Sequence, residues 1–582
     1  MLVALLLSLL HHDVKSEIVI PVQNSQDQML IHCVTDVLQR FYTGKKELTF
    51  VEIDSYDDDL LKAINTMEIS PLILRQLNHR IKVPHEGYLI SSKDTTDFTK
   101  YFRNLTREST WNPYAKFFIV IKELRTEDLD RIFTVLLQQH VFNILLINGS
   151  KNIDLYSYNP FNNYACGKYY DDVISFGHCF NNTQDLFQNK LVTGLKNCTI
   201  NAVITHWPPY TINPLESDKG PKVGAEQSIF QVISDLEGFQ VNFSYFNDGE
   251  DFSTITGDMI AIGLLSKLQN DEADVILGGM VLVPSRANAF SYVHEHLTYI
   301  DEIIFFVKKA TLVAEWKNVY LEFQTKVWVL LILALILYWL LMIALLHLND
   351  KTYLILRLLD NLLLHGFDIR CRLTVKCVLI LWVWFAYLVN TFYQSSLVSI
   401  TTNPIKEYQI STEEDLIKHN FRSCASTAIK KYYTDVTDTD DTESVLEGCQ
   451  SILKGLGTVA KSSDLYTVLL YSLYSYHHQQ FCDEFGTPLV FSFKKPYAKV
   501  MYSMYFYKGF PMRDKLGLHA LRLRENGLAD KFLNDMYYLR DIKHNYRAQE
   551  FHFHLVNPLY GYLFACSVSI IVFVVEIISK PK

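Results

Sequence analysis

Long runs of apolar residues without a charge interrupt the chain at three places. The first, Val327 to Leu346, is 20 residues long, and at about 1.5 Å per residue a helix of that length crosses the hydrocarbon core of a bilayer, which is about 30 Å thick. The second run extends from Cys377 to Ile405, and the third from Pro558 to Val575, with only Glu576 interrupting its continuation. The pattern predicts three membrane-spanning helices, at 327–346, 377–402 and 555–578.

A weaker apolar stretch lies between the first two predicted spans. Tyr353 to Leu364 has 12 residues and is interrupted by Arg357 and Asp360. Because it is too short to cross a bilayer, we expect a re-entrant segment or an interfacial helix within a cytoplasmic pore loop at 347–376. This loop also carries Lys351, Arg370, Arg372 and Lys376, which is the basic excess expected of a cytoplasmic loop.

The pattern before the first span indicates an extracellular N-terminal part. The opening run MLVALLLSLL is typical of a secretory signal, predicted at 1–16, although an ordinary apolar terminus is an alternative. All five sequons found before the first span could carry glycans, and they begin at Asn104, Asn148, Asn181, Asn197 and Asn242. Three crossings from an outer N-terminus place a short tail, 579–582, in the cytoplasm and place 405–548 outside.

The extracellular segments alternate apolar strands with amphipathic helices. In the N-terminal region 17–197, Lys116 to Glu123 predicts a buried strand, Thr126 to His140 a helix, and Asn143 to Asn148 another strand, which together form a βαβ unit. Segments 198–320 and 405–548 repeat this style. Since both lie on the same face of the membrane, we expect them to combine into one bilobed α/β domain with a small-molecule cleft between its lobes.

Charge and composition exclude several classes of protein. The net charge is −9, so no basic field exists for nucleic acid. The catalytic patterns G-x-S-x-G, H-E-x-x-H and G-x-x-x-x-G-K-[ST] do not occur, and we expect neither an enzyme nor a cofactor. The paired histidines His294 and His296 have no further ligand at suitable spacing, so we expect solvated histidines and no metal site.

The seven cysteines predicted to lie outside the membrane make disulfides plausible in an oxidising compartment. Seven is an odd number and spacing does not fix the connectivity. We predict only one pair, Cys166 with Cys179.

The predicted topology itself indicates a mechanism. The cytoplasmic share of the chain, 347–376 and 579–582, is too short for a kinase or an adaptor dock. A signal received outside would therefore pass through the membrane part, which favours a channel.

The order of these parts resembles an ionotropic glutamate receptor. Ala273 to Arg286 (ADVILGGMVLVPSR) is similar to the family's strand that ends in a ligand-binding arginine. Ile410 to Ile417 resembles the opening of the second half of the ligand-binding domain, and Tyr505 to Phe532 resembles its end. The resemblance implies a clamshell like that of periplasmic binding proteins, split by an α-helical pore domain with three spans and one re-entrant loop, and preceded by an additional α/β region.

Two further segments make the resemblance closer to one branch. Thr391 to Pro404 (TFYQSSLVSITTNP) takes the place of the gate motif, and Leu155 to Gly167 precedes the clamshell. Together with the short N-terminal region, they resemble the divergent chemosensory ionotropic receptors of arthropods. The gate residues implied by this match are Tyr393, Ser395, Ser396, Leu397 and Ser399.

The resemblance also implies a ligand site. Arg286 falls on the arginine that holds the ligand carboxylate, Ser426 and Thr427 on a pair at a helix N-terminus, and Asp464 on the acid that binds an amine. A structural arginine and a solvated acid are the alternatives for Arg286 and Asp464. Val281 replaces the family's usual hydroxyl residue, and Cys482 has no later extracellular partner for the family's disulfide, so glutamate is not the expected ligand.

The implied function is a subunit of a ligand-gated cation channel that detects taste or odour compounds. Its expected partners are a small-molecule ligand, membrane lipid, and co-receptor subunits in a hetero-tetramer. An acidic ligand would suit the arginine in the implied site. The expected location is the plasma membrane of a sensory dendrite or cilium. The alternative is a non-conducting ligand-binding or accessory subunit that needs other subunits to conduct.

Overall fold

The computed structural model is a mixed α/β protein with three main sheets and several long apolar helices. The predicted signal peptide lies outside the described residues. The structure describes residues 25–42, 47–53, 58–66, 72–75, 84–108, 110–150, 152–181, 185–191, 194–216, 221–246, 253–257, 259–297, 300–314, 317, 320–346, 351–363, 365–366, 373–403, 405–426, 446–541 and 556–579.

The N-terminal part is built on a seven-stranded sheet, sheet I, with strand order β2-β1-β3-β4-β5-β6-β7. The first five strands in this order are parallel to one another. Strand β6 is antiparallel to both of its neighbours, β5 and β7. The strands are β1 (Leu48–Ile53), β2 (Leu72–Arg75), β3 (Gly87–Ser92), β4 (Lys116–Ile121), β5 (Ile144–Asn148), β6 (Asp154–Tyr158) and β7 (Val173–His178). The helices are α1 (Ser25–Phe41), α2 (Asp58–Thr66), α3 (Thr95–Thr106) and α4 (Leu129–Gln138).

The predicted βαβ unit is confirmed in sheet I, where α4 connects the parallel strands β4 and β5. Both strands are apolar at nearly every position, because helices cover both faces of a parallel sheet. Thr126–Asp128 forms a short 3₁₀ turn ahead of α4, so the α-helix begins three residues later than the periodicity suggests.

A five-stranded sheet, sheet II, follows with strand order β13-β19-β12-β8-β9. Its strands are β8 (Thr199–Ile204), β9 (Gln240–Tyr245), β12 (Val275–Leu277), β13 (Ser291–Val293) and β19 (Met504–Phe506). A small hairpin joins β10 (Thr254–Ile255) and β11 (Ala261–Ile262). The helices of this part are α5 (Ala225–Glu237), α6 (Ser266–Gln269), α7 (Pro284–Ala289), α14 (Arg513–Glu525) and α15 (Leu528–Asp541).

A second five-stranded sheet, sheet III, has the order β15-β16-β14-β17, and its fifth strand, β18, pairs with another part of β14. The strands are β14 (Asp301–Lys308), β15 (Arg422–Ser423), β16 (Leu465–Leu470), β17 (Val490–Ser492) and β18 (Ala498–Val500). The helices are α11 (Glu413–Lys418), α12 (Ile452–Lys461) and α13 (Tyr471–His477). One apolar core cluster contains buried residues from both sheet II and sheet III.

Four helices carry most of the exposed apolar surface: α8 (Thr325–Leu346), α9 (Lys351–Leu362), α10 (Leu373–Thr402) and α16 (Val556–Ser579). Among the described residues, two helical segments are long and apolar enough to cross a membrane. They are Thr325–Leu345, with a mean hydropathy of 2.8, and Val375–Ile400, with 1.7. In α16 the apolar helical stretch is shorter, Tyr562–Val575. The helix bounds lie within four residues of the three predicted spans.

The predicted disulfide between Cys166 and Cys179 is wrong. Cys179 follows β7 at the edge of sheet I and bonds Cys33 of α1, which packs beside that edge. Cys166 instead bonds Cys198, directly before β8, and so links the N-terminal part to sheet II. A third bridge joins Cys424 and Cys449 beside α12.

Noncovalent contacts also join the N-terminal part to sheet II. The Tyr114 hydroxyl hydrogen-bonds the Ser291 hydroxyl at 2.7 Å and donates to the Phe510 carbonyl at 2.8 Å. The ring of His140 stacks on Tyr507 with centroids 4.1 Å apart. The N-terminal part therefore rests on the side of sheet II where β13 meets the turn before α14.

Candidate functional site

The chain crosses between sheets II and III twice, and the two crossings lie side by side. The first leads from β13 to β14, and the second from β18 to β19. In the second crossing, Met501 accepts a backbone hydrogen bond from Leu282, and Ser503 donates one to Met280, each at 2.8 Å. Because Val293 pairs with Met504 at one end and Asp301 pairs with Val500 at the other, the two crossings form a junction that belongs to both sheets.

Asp301, the first residue of β14, collects hydrogen bonds at this junction. Its Oδ1 accepts the backbone N–H of Ser472 at 3.1 Å, and its Oδ2 accepts the Ser472 hydroxyl. Oδ2 also accepts the hydroxyl of Tyr502 at 2.5 Å. Since Ser472 lies in the first turn of α13, a helix N-terminus, both crossings and α13 are fastened to one buried carboxyl.

Burial and hydrogen bonding act on the Asp301 carboxyl in opposite directions. Burial raises its pKa above the usual range, while the hydroxyls of Ser472 and Tyr502 stabilise the charged form and partly oppose this shift. The Tyr210 ring lies 4.5 Å from the Tyr502 ring, and burial raises the pKa of the Tyr210 hydroxyl as well. The junction is therefore a buried polar region within an apolar core.

A second buried polar group lies on the sheet II side of the junction. Glu226, in the first turn of α5, accepts the backbone N–H groups of Gly278 and Gly279 through Oε2 at 2.8 and 3.2 Å. Its Oε1 lies 3.0 Å from Nε2 of His296, and both side chains are fully buried. A Cβ atom on Gly279, which has φ +64°, would lie 2.6 Å from the Trp207 ring. The backbone can therefore approach Glu226 only because this residue is glycine.

Basic side chains cluster beside the junction. His206 follows β8, and its Nδ1 accepts the backbone N–H of Asn213 at 3.1 Å. Burial lowers the pKa of His206, and burial, Arg540 and His206 together lower the pKa of His477 in α13 to about 4. The Arg540 guanidinium lies 4.9 Å above the Tyr476 ring. Burial therefore disfavours the charged form of both histidines where α13, α15 and the end of β8 meet.

Arg286, the predicted carboxylate-binding residue, is 2% exposed in α7. Its guanidinium donates to the backbone carbonyls of Val281 at 3.1 Å and Ser253 at 2.7 Å. The Tyr505 hydroxyl donates to the same Val281 carbonyl at 2.9 Å. Arg286 thus holds together the loop before α7 and the hairpin region of β10, and an acidic ligand would have to share its guanidinium with these two carbonyls.

The other predicted ligand residues belong to the sheet III side. Ser426 is buried a few residues after β15, and Thr427 lies outside the described residues. Asp464 precedes β16, is exposed, and forms an ion pair with Arg422 at 2.6 Å. An ammonium ligand at Asp464 would therefore compete with Arg422. The predicted roles of these residues stay predictions.

The predicted gate residues lie in the last turns of α10, next to the turn that precedes α8. The Tyr393 ring lies 5.9 Å from Phe323 and 6.4 Å from Trp328. The Ser396 hydroxyl donates to the Glu322 carbonyl at 3.2 Å. The residues that make these contacts form what we call the collar: Glu322, Phe323, Trp328, Tyr393 and Ser396. Leu397 is half-buried, whereas Ser395 and Ser399 are exposed.

The five sequons differ in accessibility. Asn104, Asn197 and Asn242 are exposed. Asn148 is 5% exposed at the end of β5, and its Oδ1 accepts the backbone N–H of Ser150 at 3.0 Å. The folded chain therefore encloses the Asn148 amide, and a glycan at this sequon stays a prediction. Nothing is described of the Asn181 side chain.

Sequence reasoning missed the residues at the centre of the junction. His296 was expected to be solvated, but it is fully buried against Glu226 because the chain turns inward after β13. Asp301 gives a local signal, an acid that opens the apolar strand EIIFFV. No local pattern indicates that Ser472 and Tyr502 will meet it, since they lie 171 and 201 residues further along the chain.

The comparisons with known proteins do not identify a family. No family model matches the chain, and no curated protein matches it. The resemblance to ionotropic receptors therefore rests on the quoted sequence motifs and on their order.

Proposed function

We propose that the chain is a subunit of a ligand-gated cation channel that detects chemical stimuli. In this proposal sheets II and III are the two lobes of an extracellular clamshell, and α8, α9 and α10 form the pore region with α16 as a third span. Closure of the clamshell on a ligand opens the pore at the outer end of α10. Co-receptor subunits complete a hetero-tetramer in the plasma membrane of a sensory cell.

The observation that carries the proposal is the connection between sheet III and the apolar helices. The segment leaving β14 toward α8 and the segment leaving α10 pair with each other as a short antiparallel ribbon. Val313 donates to the Ile405 carbonyl, and Glu407 donates to the Thr311 carbonyl, each at 2.9 Å. Because one ribbon leads into both helices, a movement of sheet III would pull on α8 and α10 together.

The collar supports the same direction of transmission. Glu322 and Phe323 end the segment that comes from the ribbon, and they contact Ser396 and Tyr393 on α10. Contacts between packed rings and a hydrogen bond from a side chain to a backbone carbonyl carry small displacements from one element to the next. A pull on the segment before α8 would therefore reach α10 at the residues that the sequence assigns to the gate.

The junction supports a clamshell whose closure is controlled from its centre. Asp301 fastens the two crossings to α13, so a change in the angle between the lobes would act on these hydrogen bonds. The cleft would take a small molecule near Arg286 on one lobe and Ser426 on the other. An acidic ligand remains the expectation for a guanidinium.

Cysteine modification at the gate tests the proposal directly. The full-length chain is expressed alone and with candidate co-receptor subunits, and whole-cell current is recorded during application of a charged methanethiosulfonate reagent. We expect the reagent to change the cation current of the Ser399→Cys variant. The current of the parent chain, which has no cysteine at this position, should not change. Val329→Cys on α8, 61% exposed and expected to face lipid, is the matched control.

The outcomes separate the proposal from its alternative. A current that appears only with a partner and changes on modification of Ser399→Cys supports a conducting subunit in a hetero-tetramer. A partner-dependent current that stays insensitive at Ser395, Ser396 and Ser399, with normal surface expression, would indicate the non-conducting accessory subunit instead.

A further inference from the structure

A cavity of about 610 Å³ lies between α13 and α15, on the side of α13 that carries Tyr471, Tyr474 and Ser475. This volume falls in the range of about 300–1,000 Å³ that is usual for small-molecule sites. Its walls come from α13, from the turn after it and from α15. The lining residues are Tyr471, Ser472, Tyr474, Ser475, His478, Cys482, Gly486, Pro488, Leu533, Asn534 and Tyr537.

The lining determines the charge of a suitable occupant. No Asp, Glu, Lys or Arg is among the described residues that line the cavity, whereas three tyrosines, a leucine and a proline are. A charged ligand would lose its hydration there without gaining a counter-ion. Aromatic rings, by contrast, would find tyrosine faces and edges to pack against.

The lining also contains a hydrogen-bond acceptor of defined orientation. The Nδ1 atom of His478 lies 2.7 Å from the carbonyl oxygen of Ser475. A carbonyl oxygen only accepts, so Nδ1 must carry the hydrogen of this bond. In the neutral ring Nε2 is then an acceptor, which suits a ligand with a hydroxyl or another neutral donor.

The cavity is placed to affect the junction. α13 follows β16 of sheet III, while α15 packs on α5, which covers sheet II. Ser472 is part of the cavity wall and donates to Asp301. The Tyr537 hydroxyl of α15 donates to the Ser472 carbonyl at 3.5 Å. An occupant would therefore bridge the two sheets next to the carboxyl that fastens their crossings.

We propose that this cavity binds a neutral, mainly apolar aromatic small molecule with one hydrogen-bond donor, and that occupancy sets the angle between sheets II and III. The site is separate from the region of Arg286 and Ser426. The regulatory part of this proposal rests on the proposed channel function, whereas the binding part does not.

Protection of Cys482 from alkylation tests the binding part. Cys482 is a half-buried cysteine in the cavity wall that is in no disulfide, and its thiol donates to the His478 carbonyl at 3.3 Å. Full-length protein in detergent is treated with iodoacetamide, and modification of the peptide that contains Cys482 is followed by mass spectrometry. The probes are phenethyl alcohol, phenylacetate and phenethylammonium at equal millimolar concentrations, which share a phenyl ring and differ in charge.

We expect phenethyl alcohol to slow alkylation of Cys482 at least fivefold and the two charged probes to slow it less than twofold. Modification of Cys377, which lies in α10 and outside the cavity, should not change with any probe. Equal protection by all three probes, or none by phenethyl alcohol, would overturn the assignment of a neutral-ligand site.

Filling the cavity provides the matched control. Ser475→Trp places an indole among the lining residues and should remove protection by phenethyl alcohol, while Gln480→Trp, exposed and outside the lining, should keep it. If Ser475→Trp does not fold, Asn534→Trp on the opposite wall serves the same purpose. Protection that persists in the filled variant would place the probe elsewhere.

Conduction and binding can fail independently. Protection of Cys482 without any ligand-evoked current would support the binding site and contradict the proposed channel function. A ligand-evoked current without protection of Cys482 would support the channel function and contradict the binding site. If both hold, phenethyl alcohol should shift the dose-response of the channel in the parent chain and not in Ser475→Trp.

Discussion

Asp301 shows how much of this molecule depends on one buried carboxyl. Its hydrogen-bond partners Ser472 and Tyr502 belong to α13 and to the second crossing, from β18 to β19. Burial alone would favour the neutral form of the Asp301 carboxyl. A buried acid is tolerated when donors surround it, and leaving such a group unsatisfied costs about 1–3 kcal/mol. The junction is thus stable only while the three elements keep their relative positions.

Removal of one donor should expose this dependence. Tyr502→Phe deletes the hydroxyl that donates to Asp301 and keeps the ring that packs against Tyr210. We expect a loss of about 1–3 kcal/mol in the free energy of unfolding, measured as a lower melting temperature of the purified full-length chain. Tyr538→Phe, at a position 65% exposed, should leave the melting temperature unchanged. A Tyr502→Phe protein as stable as its parent would show that the hydrogen bond to Asp301 does not stabilise the junction.

His477 predicts a dependence of stability on pH. Its folded-state pKa of about 4 lies below the unfolded value of about 6.5, because burial, Arg540 and His206 disfavour the charged ring. The unfolded chain therefore binds more protons as the pH falls, and stability present above about pH 6.5 is lost toward pH 4. The contribution of His477 is at most about 3 kcal/mol.

The measurement compares melting temperatures at about pH 7.5 and about pH 5. His477→Gln should show a smaller drop than the parent chain, since the group that must stay neutral is gone. His294→Gln, at an exposed position, should show the parent's full drop. Equal drops in all three proteins would mean that His477 is not held neutral by the fold.

At the scale of elements, the sequence predicts what depends on neighbouring residues. The three predicted spans coincide with α8, α10 and α16, because apolar runs of this length determine helices locally. The β4–α4–β5 unit follows from alternation within about 35 residues. Cysteine pairing does not follow, since Cys33 and Cys179 are separated by 146 residues and meet only after α1 packs on sheet I. The burial of His296 against Glu226 has the same origin.

The corrected pairing can be tested on the intact chain. Non-reducing peptide mapping should find Cys166 joined to Cys198, and Cys33 joined to Cys179. Cys198→Ala should free Cys166 alone and leave the Cys33–Cys179 bridge in place. Loss of one bridge should lower the free energy of unfolding by about 2–4 kcal/mol. A peptide that joins Cys166 to Cys179 would restore the pairing suggested by the sequence and contradict the fold at the edge of sheet I.

For the whole molecule, the main feature is that neither sheet II nor sheet III is made from one continuous segment. β14 precedes the apolar helices yet lies in sheet III, and β19 follows them yet lies in sheet II. The residues before and after the apolar helices therefore do not correspond to sheet II and sheet III. This exchange of strands makes the apolar helices an insertion between parts of the two sheets. If α8 and α10 cross a membrane, as proposed, it requires both outer segments to lie on one side of that membrane.

That requirement gives the last prediction, which concerns glycans and tags on the same chain. Thr106→Ala removes the sequon of exposed Asn104 and should reduce the mass of the protein expressed in animal cells by one glycan. Ser150→Ala removes the sequon of buried Asn148 and should leave the mass unchanged. An epitope tag between Glu484 and Phe485, an exposed turn next to sheet III, should be stained on intact cells, and a tag after Lys582 only after permeabilisation. Staining of the first tag only in permeabilised cells would place sheets II and III on opposite sides, which the shared strands do not allow, so the membrane assignment of α8 and α10 would have to be abandoned.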